Sequence, residues 1–209
     1  MILNTHLTIS NALIENIDSS KSFFLSEKNF IYGNIKPDMT SKYVLHKHYL
    51  KESFDMIIGK IKSLCKLSLD FIEKYFSVSK FSQELGVICH FLCDFLCVPH
   101  SYRWEFKHSM KKHLSYETEL NTIAKKTNLN KFINDDIKYD SFGEFFNSLY
   151  IEYQQILDHK NDHVLYSFQS DRKESEIKTL LRQTNNLRGG LYCKLWDSEK
   201  YGIKVLIVS

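Results

Sequence analysis

Residues 80–97 read KFSQELGVICHFLCDFLC, apolar at nearly every position, and no Lys or Arg occurs between residues 81 and 102. A helix apolar all round is buried, so this stretch predicts a central helix over 80–97. It should stop before Pro99, because proline disfavours helical geometry in the residue that precedes it. Such a helix takes His90 and Asp94 into the interior. Four residues apart, they lie about 40° apart on one helical face, close enough to meet at one ion. A buried carboxylate is costly unless paired or metal-bound, and no cation lies nearby in the sequence. The pair alone reads equally as a hydrogen-bonded His–Asp couple in the core or as two metal ligands.

Working outward, His100 follows directly on Pro99, and His113 and Glu117 repeat the four-residue spacing on a helix predicted over about residues 105–126. Two antiparallel helices would then face each other across a site. Imidazole and carboxylate donors suit zinc, and an open coordination position lets the metal activate water. His108 competes with His113, but it lies about 140° away around the helix and has Lys112 rather than an acid four residues on, so it reads as a surface residue.

The remaining segments read mostly as helix. A short one is predicted over about 5–17 and one long or two broken ones over 50–76. Another covers 142–159, opened by the capping-box pair Ser141 and Glu144, and a last runs over 171–188 to Gly189-Gly190. The segment 29–43 reads as a loop, because Gly33, Asn34 and Pro37 interrupt it. The tail YCKLWDSEKYGIKVLIVS reads as a strand or an irregular arm. Seven Gly and two Pro in 209 residues leave the many tight turns of an all-β protein without their usual residues. The expected fold is therefore all-α, a multi-helix single domain over residues 1–209 built around a buried zinc cluster.

The net charge of +3 comes from basic residues scattered along the chain, which reads as a solvated surface rather than a nucleic-acid footprint. Five cysteines cannot all pair, and Cys89, Cys93 and Cys97 recur at helical spacing, so a reducing compartment is expected. The N-terminus carries no basic leader with an apolar run, and no segment reaches the about 18 to 20 apolar residues of a membrane span. A cytoplasmic protein is the expectation.

Taken in order, His90-x3-Asp94-x5-His100 followed by His113-x3-Glu117 resembles the signature of the zinc-dependent phospholipase C family. The metal site of that family is in turn similar to that of the fungal single-strand-specific zinc nucleases. The resemblance reaches upstream to His6, Asp38 and His48, covering roughly residues 1–120, and beyond that the chain is similar only in being helical. It implies three zinc sites. Asp38, His48, His90 and Asp94 hold one ion. His100, His113 and Glu117 hold a second. His6 and the Met1 amine hold a third, to which Asp94 bridges. It also implies that Asp38 orients or deprotonates the attacking water in an in-line displacement at phosphorus. The chain departs from the family in two ways: secreted members expose an N-terminal Trp where this chain has Met1, and their gap between the loop aspartate and the next histidine is longer. His46 and His48 thus both compete for one position, with His48 preferred because it directly precedes Tyr49 and a helix.

Weaker candidates are Cys97, whose angle on the predicted helix falls between those of His90 and Asp94 but which reads better as a core residue. Asp158, His159, Asp162 and His163 read as a solvated turn, and Tyr102, Arg103 and Trp104 read as cleft border or aromatic packing alike. The expected function is hydrolysis of phosphate esters with two to three Zn2+ ions, acting on a phospholipid or another phosphodiester, with peripheral membrane contact. The alternatives are a nuclease or nucleotidase on the same site, the one case in which nucleic acid is a partner, and a non-catalytic metal-binding protein.

Overall fold

The computed structural model describes residues 2–15, 25–40, 47–67, 77–104 and 110–126, with 144, 146–148, 150, 151 and 154. Six helices have defined bounds among them: α1 (Leu3–Glu15), α2 (Glu27–Met39), α3 (Leu50–Cys65), α4 (Val78–Phe95), α5 (Val98–Ser101) and α6 (Met110–Lys126). No strand occurs among the described residues, so the fold is all-α. The helices predicted over 5–17, 50–76, 80–97 and 105–126 correspond to α1, α3, α4 and α6, with 16–17, 68–76 and 105–109 lying outside the described residues. The described residues of 144–154 are helical, within the element predicted over 142–159. The helix over 171–188 and the C-terminal tail lie outside the described residues.

Helix α4 is the axis of the molecule. Every residue from Leu85 to Phe95 is buried, as an all-round apolar helix requires. Its start is fixed by Ser77, whose hydroxyl accepts a hydrogen bond from the Lys80 amide at 3.2 Å. Helices α1, α2 and α3 contact it, whereas α6 packs against α1, and α1 and α6 each turn a single stripe inward. On α1 the buried residues are Thr5, His6, Ile9, Ser10 and Leu13. On α6 they are His113, Tyr116, Glu117, Leu120, Asn121 and Ala124. Both sets keep the helical period, and both carry polar groups inward among the apolar ones. Phe91 and Phe95 of α4 continue this interior into an aromatic cluster with Phe54 and Phe146.

The structure corrects the expected loop over 29–43, for residues 27–39 are helical. Gly33, Asn34 and Pro37, read as interruptions, are buried inside α2. Gly33 serves close packing. A Cβ built on it would stand 2.1 Å from the Gln83 carbonyl oxygen of α4, and one on Gly86 would stand 2.3 Å from the Phe30 carbonyl oxygen of α2. The two helices cross backbone to backbone at this glycine pair, which no other residue permits. Pro37 lies two residues from the end of α2, where it removes the one bond its own amide would make to the Gly33 carbonyl. Thr40 closes the end, its amide and its hydroxyl both donating to the Lys36 carbonyl at 3.0 and 3.1 Å.

At its C-terminus α4 stops two residues earlier than predicted. Cys97 has extended backbone angles, φ −91° and ψ 127°, and caps α5, in which Pro99 occupies the first turn. The chain therefore bends before His100 rather than at it, and the angular comparison of Cys97 with His90 and Asp94 does not apply. Among the described residues no helix is long and apolar enough to cross a membrane.

Candidate metal centre

His90 is placed by the glycine crossing. Its Nδ1–H donates to the backbone carbonyl of Asn34 at 2.7 Å, across the contact that Gly33 and Gly86 make possible. That bond assigns the proton to Nδ1 and leaves Nε2 as the lone-pair nitrogen. His90 Nε2 lies 3.2 Å from Asp94 Oδ2, 3.2 Å from His48 Nδ1 and 3.6 Å from Asp38 Oδ1.

Asp94 is fully buried and faces four imidazoles. Its Oδ2 lies 2.7 Å from His48 Nδ1, and its Oδ1 lies 3.3 Å from His6 Nε2 and 3.7 Å from His100 Nε2. Burial alone would raise its carboxyl, but the imidazoles gathered around it favour the ionised form and hold it well below the usual carboxylate range. His6 stacks on His90 with ring centroids 3.9 Å apart. Burial, reinforced by the neighbouring His90, lowers His6 to about 3. It is thus a neutral imidazole near pH 7, and neither of its buried ring nitrogens has a hydrogen-bond partner among the described residues.

His48 stands on the short segment before α3. The Ser53 hydroxyl, on the first turn of that helix, donates to the Lys47 carbonyl at 2.6 Å and fixes the backbone one residue ahead of it. Burial would lower His48, yet its bond to Asp94 and the charge of Asp94 outweigh burial and raise it. Asp38, at the end of α2, lies 3.7 Å from His48 Nδ1 and keeps 28% of its side chain accessible. Its carboxyl is raised, chiefly by partial burial.

A second cluster adjoins the first. Glu117 Oε1 lies 2.8 Å from His113 Nε2 and 3.4 Å from His100 Nε2, and the rings of His100 and His113 stand nearly perpendicular, 5.2 Å apart. Burial would raise Glu117, but the bonds from both histidines hold it well below its ordinary range, while burial lowers His100.

All eight side chains predicted as ligands, His6, Asp38, His48, His90, Asp94, His100, His113 and Glu117, are therefore brought together. Met1, His46, His108 and the acidic-histidine group at 158–163 lie outside the described residues. Among the described residues, three sets of ligand atoms lie within 4.8 Å of one another: His6, Asp38 and His90; His48, His90 and Asp94; and Cys97, His100 and Glu117. These are nitrogen, oxygen and sulfur donors of the kind zinc takes. The neutral buried imidazoles of His6 and His100, the ionised buried carboxylates of Asp94 and Glu117 and the unsatisfied nitrogens of His6 together fit a bound cation. Sequence reasoning missed the role of Asn34. Its buried side chain gives no hint of it, because the backbone carbonyl does the orienting. Of the residues after His100, Trp104 packs on Tyr116 at 5.3 Å, and Arg103 lies over the Tyr49 ring at 4.6 Å and pairs with Glu52.

Compared with known proteins, the chain matches a family whose description is zinc dependent phospholipase C, over residues 5–160. The match extends well past the stretch ending near residue 120 that the ligand motifs cover. No curated protein and no solved structure matches.

Proposed function

The chain belongs to the zinc-dependent phospholipase C family, and on that footing we propose that it hydrolyses phosphodiesters of the phospholipid class at the His–Asp–Glu centre. The observation that carries this reading is Asp94, a fully buried carboxylate within 3.7 Å of four imidazoles. Asp38, His48, His90 and Asp94 would hold one ion, and His100, His113 and Glu117 a second. His6 with the Met1 amine would hold a third, shared through Asp94. Zinc bound there supplies Lewis acidity to the phosphate oxygens and stabilises charge on the attacking and leaving oxygens.

The protein's own groups supply the rest. Asn34 fixes the tautomer of His90, and Ser53 holds the backbone that presents His48. Asp38 is the ligand-group carboxylate that retains access to solvent, and partial burial raises its affinity for a proton. It is therefore suited to orient the attacking water and take its proton. A lipid substrate is favoured over nucleic acid by the exposed apolar residues beside the ligand positions. Met39 directly follows Asp38 and is 60% exposed, while Met110 and Leu114 bracket His113 at 57% and 51%. Side chains of this kind fit an acyl-chain surface better than a charged backbone.

The test has two parts. Protein purified without chelator should contain two to three zinc ions per chain, and none after zinc supplementation would end the proposal. The zinc-loaded protein should cleave phosphatidylcholine in preference to single-stranded nucleic acid and simple phosphodiesters. Preference for nucleic acid would transfer the site to the nuclease reading.

A further inference from the structure

The second cluster has a neighbour that the proposed function does not use. Cys97 is 1% exposed, and its Sγ belongs to the set in which the donors of Cys97, His100 and Glu117 all lie within 4.8 Å of one another. The extended backbone at Cys97 removes it from the helical period of Cys89 and Cys93, which remain in α4. Pro99 then starts the short turn that carries His100. Glu117 arrives from α6 with His113 one turn before it, the two joined at 2.8 Å. The donors of Cys97, His100 and Glu117 thus meet at one point, and His113 adjoins them through Glu117.

We propose that Cys97 is the fourth protein ligand of the ion held by His100, His113 and Glu117, an inference that rests on the zinc-dependent function proposed above. In a tetrahedral site with Zn–N of 2.0–2.1 Å and Zn–S of 2.3 Å, neighbouring donors stand roughly 3.3 to 3.8 Å apart. The His100–Glu117 separation of 3.4 Å already falls in that range. On binding, the S–H bond of Cys97 is replaced by a sulfur–zinc bond and the proton leaves to solvent. One thiolate and one carboxylate then match the two positive charges of the ion, the composition a buried site favours. Four protein donors close the coordination sphere. An ion so held would act as an electrostatic and structural anchor, while Asp38 keeps part of its side chain open to solvent.

Titration of the apoprotein with Co2+, followed by absorption spectroscopy, tests this without relying on turnover. The expected result is a sulfur-to-cobalt charge-transfer band in the near ultraviolet that is lost in Cys97→Ser and kept in Cys93→Ser. X-ray absorption at the zinc edge of the wild-type protein should show one sulfur scatterer at about 2.3 Å, which decides the matter even where Cys97→Ser does not fold. Cobalt binding with no such band, or a zinc shell of nitrogen and oxygen alone, overturns the assignment of Cys97 and leaves the metal centre standing. A band that survives Cys97→Ser does the same. Failure to bind cobalt or zinc at all overturns this inference and the proposed function together.

Discussion

Asp94 is the residue on which both clusters lean, and its charge matters more than its shape. Asp94→Asn keeps the volume and one acceptor but removes the negative charge that the proposed ions require. The variant is expected to lose zinc and activity together, and to melt at a lower temperature, because metal binding is linked to folding. Zinc content equal to wild type would reduce Asp94 to a core hydrogen-bond partner. His6 offers a finer test, since it and the Met1 amine are proposed to share one ion. His6→Ala, and separately an uncleaved N-terminal extension, should each lower the stoichiometry by one ion without emptying the other sites. Equal zinc and activity in all three proteins would leave two metals at most. These side chains were legible in the sequence because ligand chemistry is written in residue types at fixed spacings, His90 to Asp94 and His113 to Glu117. The Asn34 carbonyl was not legible, because every residue has one and only the fold selects which is used. Cys97 was legible as a buried residue, but its approach to His100 and Glu117 depends on a backbone break that nothing in FLCVPH announces as falling before residue 97 rather than after it.

Among the elements, the crossing of α2 and α4 governs the centre. Gly86→Ala places a methyl group 2.3 Å from a backbone carbonyl oxygen, so the helices must separate. Overpacking of this kind costs about 1–3 kcal/mol or more. A denaturant midpoint lowered accordingly, with weaker zinc binding as the His90–Asn34 bond lengthens, is the expected outcome. Gly59→Ala is the matched control. It lies in α3 with open space where its Cβ would go, and the substitution should stabilise by about 0.5–1 kcal/mol. A Gly86→Ala protein as stable as wild type would show that the crossing can relax. The same crossing explains why helix α4 was legible and helix α2 was not. An unbroken apolar run has one reading, whereas Gly, Asn and Pro within a short stretch describe a turn locally and become helical through tertiary contact. Propensity lost to packing here.

For the molecule as a whole, the centre ties stability to pH and, on the proposed function, to metal. In the metal-free protein His6 titrates at about 3 when folded and at about 6.5 when unfolded. The unfolded chain therefore binds more protons between those values, and stability falls as pH drops through that window. His100, also lowered, acts in the same sense. Asp94 and Glu117, depressed in the fold, withdraw further stability as the pH falls below the ordinary carboxylate range. His48 and Asp38, both raised, act in the opposite sense. The apoprotein should thus unfold in mild acid, with a melting temperature that declines steadily from pH 6.5 to pH 4, and a flat profile would show that these groups are solvated rather than buried. Chelation at neutral pH should lower the melting temperature while leaving a single transition, as expected if residues 1–209 form the one domain proposed from the sequence. Two separated transitions would divide the chain.

The span of the proposed ligands, from His6 in α1 to Glu117 in α6, also bears on how the molecule is made. A ribosome adds about 5 to 20 residues per second. His6 therefore emerges several seconds before Asp94 exists, and the second cluster is incomplete until Glu117 has left the exit tunnel. During that interval the nascent histidines are good ligands without a site. Assembly of the centre is confined to a late moment of synthesis, and a premature ion would join imidazoles that the finished fold keeps in different clusters.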